Sequence, residues 1–66
     1  MVVTISKNSN GTLNIRSKSR EFELHFKSAF EGGGIVCYPA ALFAYMWAIS
    51  DYANNALKEE CVFDVE

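Results

Sequence analysis

Two short segments near the start of the chain alternate apolar and polar residues in the manner of strands. "VVTIS", residues 2–6, sets Val3 and Ile5 on one side. "TLNIRS", residues 12–17, sets Leu13 and Ile15 on one side and Asn14 and Arg16 on the other. Between them "KNSNG" ends in Asn10-Gly11, a pair that tolerates the positive φ of a tight hairpin turn. "REFELHFK", residues 20–27, alternates most regularly of all. Phe22, Leu24 and Phe26 oppose Glu21, Glu23, His25 and Lys27, which predicts a third strand. "SAFEGGG" then breaks the pattern, and its three consecutive glycines predict a loop. Residues 35–38 read as extended, because proline disfavours helical backbone in the residue before it; Pro39 itself suits the first position of a helix.

The period then lengthens, and a helix is predicted over 39–59. The tail "CVFDVE" returns to alternation, with Cys61, Phe63 and Val65 on one side, as a fourth strand. The order β-β-β-α-β implies a single α+β domain of two layers, one helix packed on one face of a mostly antiparallel four-stranded sheet. Both sides of the second strand of the meander are taken by its neighbours. The last strand must therefore pair in parallel at an outer edge, with the helix as crossover, or pair with another chain.

At 100° per residue, Leu42, Tyr45, Met46, Ile49, Tyr52, Ala53, Ala56 and Leu57 fall in one arc of the helix, wide enough to cover the apolar sheet face. Phe43 and Trp47 lie outside that arc, one turn apart, and Asp51, Asn54 and Lys58 continue their stripe in polar form. One sheet covers one side of one helix. The pattern thus leaves Phe43 and Trp47 exposed unless "IVCY" or the loop around Phe30 folds over them. Residues 32–50 carry no charge, but three glycines and Pro39 interrupt them, and a membrane span is not predicted.

Composition sharpens this picture in a few places. Half of the 66 residues are hydrophobic and nine are aromatic, enough for a folded core. Residues 1–30 carry five cations against two carboxylates, net +3, whereas residues 31–66 carry one against six, net −5. Opposite halves of this kind attract one another in a fold or mark a charged partner. Cys37 and Cys61 would sit at opposite ends of a helix of ~20 residues, ~30 Å long, too far for a disulfide. They read as small buried hydrophobes in a reducing, cytoplasmic setting, and no secretory leader is recognisable after Met1.

No catalytic constellation is recognisable. His25, the one histidine, has no paired nucleophile, and the scattered His25, Cys37 and Cys61 do not form a metal set, so neither enzyme activity nor a cofactor is predicted. A nucleic-acid surface could be built from Arg16, Lys18, Arg20 and Lys27 on the second and third strands. Glu21 and Glu23 interrupt that run, and its aromatics point inward, which argues against it. The expected function is non-catalytic protein binding, with Phe43 and Trp47 as anchors and Asp51 and Asn54 at their polar edge, and with a homodimer as one form of it. Size, acidity and absent chemistry suit a small inhibitor of the phage or mobile-element type that masks a host protein surface.

Overall fold

A computed structural model describes residues 1–66. The elements run β1 (Val2–Lys7), β2 (Leu13–Ser17), α1 (Arg20–His25), β3 (Phe30–Glu31), β4 (Gly34–Cys37), α2 (Leu42–Tyr52) and β5 (Val62–Val65). Short 3₁₀ turns precede β3 (Lys27–Ala29) and α2 (Pro39–Ala41), and α2 continues into a turn of π-helix (Ala53–Leu57). The strands form one sheet in the order β3-β4-β2-β1-β5. The α+β class holds, with five strands where the alternation predicts four. Of the two outcomes that connectivity allows, the fold takes the first: β5 pairs in parallel with β1 at the outer edge, Val3 opposite Phe63 and Ile5 opposite Val65.

The β1–β2 hairpin has the expected position but a longer loop than a two-residue Asn-Gly turn. The Gly11 N–H donates to the Asn8 carbonyl at 3.2 Å and the Asn8 N–H to the Thr12 carbonyl at 2.8 Å. Of the Asn10-Gly11 pair, only Gly11 takes positive φ, at 88°. This is the three-residue loop in which a left-handed glycine follows the turn. The Asn10 side-chain oxygen accepts from the Thr12 N–H at 3.1 Å and from its hydroxyl at 2.6 Å, which stiffens the loop.

Residues 20–27 do not form the predicted third strand. Arg20–His25 is a helix, and the place beside β2 goes to β4, with Ile15 opposite Ile35 and Leu13 opposite Cys37. Alternation over five residues also places its first and last members at i and i+4, the spacing of one helix face. Phe22 and Phe26 satisfy both patterns, and their rings meet at 5.2 Å, tilted by 45°. Leu24 satisfies only the strand, and it lies 60 % exposed instead of in the core. Local chemistry supports the helix once β4 has taken the place beside β2. Ser19 is extended and its hydroxyl accepts from the Phe22 N–H at 3.3 Å, and Glu21 and Glu23 lie in the first turn. Each of these complements an unpaired end of the helix or its dipole.

The triple glycine is likewise tighter than a loop. Gly32 and Gly33 both take positive φ, 64° and 96°, between paired Glu31 and Gly34. Two left-handed residues make the turn whose twist matches that of the strands it joins. The sheet edges are blunted: β3 is two residues long, and β5 carries Asp64, with Glu66 just beyond it.

The core lies between one sheet face and the helices: Val3, Ile5, Ile15, Ile35 and Cys37 from the sheet, Phe22 from α1 and Ile49 from α2. Phe22 is fully buried and meets Phe30 edge to face at 5.6 Å. Leu42, Tyr45 and Met46 pack against this core as the helical arc predicts, and Ala53 is buried beyond them. Tyr52, Ala56 and Leu57, from the same arc, do not join this core. After Tyr52 the helix widens to the i→i+5 pattern, so a fixed 100° step loses phase and Ala56 faces solvent. The widened end closes on Lys58, the only non-glycine residue with positive φ (56°), where the Glu59 N–H reaches the Ala53 carbonyl at 2.9 Å. No helix is long and apolar enough to cross a membrane.

Candidate protein-binding face

α2 lies over the sheet through Ile49 and the half-buried Leu42, Tyr45 and Met46, and this fixes what its outer side presents. Phe43 is 79 % exposed and Trp47 74 % exposed. β4 lies in the sheet and Phe30 packs on Phe22, so neither "IVCY" nor the loop around Phe30 covers them. Residues four apart on a helix stand side by side. Two large aromatics so exposed make an apolar patch on the order of 200–400 Å², within the size range of functional patches on small proteins.

Beside Trp47 the surface is hollowed. A groove of about 330 Å³ is lined by Trp47, Ala48, Asp51, Tyr52, Asn55 and Ala56 from α2 and its π-helical end, and by His25 and Phe26 at the end of α1. Its shape follows from side-chain size. Trp47, Asp51 and Asn55 form one row along the helix, and Ala48, Tyr52 and Ala56 form the next. The two alanines leave room between the Trp47 and Tyr52 rings. Three contacts hold the far wall together. The His25 ring stacks on Tyr52 at 3.9 Å and 14°, Phe26 meets Tyr52 edge-on at 5.9 Å, and the Tyr52 hydroxyl donates to the Glu21 carbonyl at 3.2 Å.

Of the four residues expected at this face, Phe43, Trp47 and Asp51 belong to one continuous surface. Asn54 is exposed but does not line the groove; its neighbour Asn55 does, and its side-chain amide donates to the Asp51 carboxylate at 2.7 Å and to the Asp51 carbonyl at 3.0 Å. His25, Phe26 and Tyr52 were out of reach of the sequence pattern. His25 and Phe26 belong to the segment that reads as a strand, and Tyr52 falls in the arc assigned to the core.

The four basic residues do not share one sheet surface, because the strand that would carry two of them is α1. Arg16 lies on the outer sheet face, its guanidinium 3.6 Å from the Glu66 carboxylate. It and Lys18 border an open polar hollow of about 690 Å³ with Thr4, Ser17, Ser19 and Glu59. Arg20 opens α1, Lys27 begins the 3₁₀ turn after it, and neither lines that hollow.

Both cysteines are free thiols. Burial pushes the Cys37 thiol above its ordinary pKa. Burial does the same to Cys61, against a hydrogen bond with Ser50 that lowers it. No group of three or more His, Cys, Asp or Glu side chains is placed to hold a metal ion. No protein family, curated protein or solved structure matches the chain.

Proposed function

We propose that this protein is a non-catalytic binding module that engages a protein partner through the outer face of α2, with Phe43 and Trp47 as anchors and Asp51 at their polar edge. One observation carries the reading. Two large aromatics stand side by side at 79 % and 74 % exposure on a helix whose opposite side is committed to the core. Leaving them in water is unfavourable in the free protein, and removing them from it is what an interface does. Tryptophan is enriched among the residues that carry most of the binding energy. Stoichiometric masking of a partner's surface, as in a small phage or mobile-element inhibitor, requires nothing more of the molecule than this.

The test is the double variant Phe43→Ala/Trp47→Ala, whose truncated side chains lie outside the core. It should keep the far-UV spectrum and stability of the parent while losing capture of partner protein. A control variant on the outer sheet face, Thr4→Ala, should retain capture. Sedimentation of both across a dilution series shows whether the occupant is a second copy of the chain. Undiminished capture and unchanged association by the double variant would sink the proposal.

A further inference from the structure

The groove beside Trp47 has a chemistry that selects what enters it. Its walls are aromatic: Trp47 on one side, Tyr52 with stacked His25 and Phe26 on the other. Its floor, at Ala48 and Ala56, is apolar and shallow. Beside Trp47 on the near wall stands one carboxylate, Asp51, the only charged residue within α2. The ion pairs of the protein are those of the Met1 ammonium with Glu59 and of Arg16 with Glu66, so Asp51 has no cation of its own. Its hydrogen-bond partner is the Asn55 amide, which donates at 2.7 Å and orients the carboxylate without neutralising it.

An apolar side chain laid in this groove would strip water from an unpaired carboxylate and return nothing for it. An acidic one would meet like charge. A cation answers both parts of the lining, because aromatic faces attract positive charge and the carboxylate pairs with it. Among cations the shape favours a flat one. Guanidinium stacks on an indole face while its edge donates to a carboxylate, whereas an ammonium is a compact, strongly hydrated point charge.

We infer that the groove between Trp47 and Tyr52 receives an arginine side chain of the partner protein, stacked on Trp47 and paired with Asp51. The inference rests on the proposed binding role of the α2 face and adds to it the chemistry of the partner: an arginine next to an apolar contact that meets Phe43.

Trp47 is the only tryptophan, so its fluorescence reports on the groove directly. The probe is N-acetyl-arginine amide, titrated to about 50 mM at constant ionic strength against its neutral isostere N-acetyl-citrulline amide, a range suited to one weak contact. Trp47 emission and the NMR signals of the Trp47 indole N–H and the Asn55 side-chain amide are followed together. The arginine amide should shift all three along one saturating curve, and the citrulline amide should not. Asp51→Asn, at an exposed position that keeps a partner for Asn55, should weaken the response at least fivefold. Ala56→Leu, which fills the floor and leaves the carboxylate in place, should abolish it. An equal response to citrulline amide, an unchanged response in Asp51→Asn, or no response within the range would each overturn the inference.

Phe43→Ala separates this failure from that of the wider reading, because Phe43 does not line the groove. If the amide fails to bind while Phe43→Ala still weakens partner capture, the arginine falls and the binding face stands. If Phe43→Ala/Trp47→Ala leaves capture intact, the binding face falls and takes with it the partner that was to supply the arginine.

Discussion

The helix at residues 20–25 can be tested against the strand that the same residues suggest, by truncating two side chains two positions apart. In a strand, Phe22 and Leu24 point to the same side and both belong to the core. In α1, Phe22 is fully buried and Leu24 is 60 % exposed. Truncating a buried phenylalanine to alanine removes about 3–5 kcal/mol. Full burial of a leucine contributes about 1.5–3 kcal/mol. With 60 % of Leu24 in water, only about two-fifths of that is at stake, roughly 0.6–1.2 kcal/mol. Alanine is also the better helix former by a few tenths of a kcal/mol, so Leu24→Ala should cost less than about 1 kcal/mol. A domain of 66 residues has only about 3–10 kcal/mol to lose. Phe22→Ala should therefore remove between about a third and all of that stability, and Phe22→Leu, with a smaller cavity, is the variant to titrate beside Leu24→Ala. Urea unfolding followed by far-UV circular dichroism measures both. A Leu24→Ala loss of 2–5 kcal/mol, the range for a core leucine, would refute the helix and the groove built on its end.

Three further outcomes follow from backbone and burial. Lys58→Gly should stabilise by roughly 0.5–1 kcal/mol in urea titration, because lysine holds a left-handed conformation that glycine adopts without a Cβ clash. Gly34→Ala should be strongly destabilising: a Cβ there would run into the Asn14 side chain and lie 2.9 Å from the Ile15 carbonyl. Adding Asn14→Gly should recover only part of the loss, since the carbonyl cannot move aside. Both thiols have raised pKa values in the folded chain, so the folded state holds its thiol protons to higher pH than the unfolded one. Their contribution to stability is whole below the ordinary thiol pKa of about 8.5 and is lost as pH climbs through the raised folded values. Urea midpoints at pH 7.5 and pH 10 should differ less in a Cys37→Ala/Cys61→Ala variant than in the parent.

Local pattern alone determines a good part of this protein. Val3, Ile5 and Ile15 face the core because alternation in β1 and β2 leaves them no other side, and Pro39 opens the 3₁₀ turn that leads into α2, where its fixed φ suits it. Phe43 and Trp47 face water because the apolar arc of α2 has no room for them. Connectivity limits β5 to parallel pairing at a sheet edge or to pairing with another chain, and the fold takes the edge beside β1. Tertiary structure decides where two patterns coincide. Phe22 and Phe26 serve a strand or a helix equally well, and the choice turned on which segment paired with β2. Residues 34–37 took that place, and residues 20–25 were left to coil under the Ser19 cap. The groove could not be read from sequence for the same reason. Its far wall is the end of that helix, brought against Tyr52 only because Phe22 anchors α1 in the core.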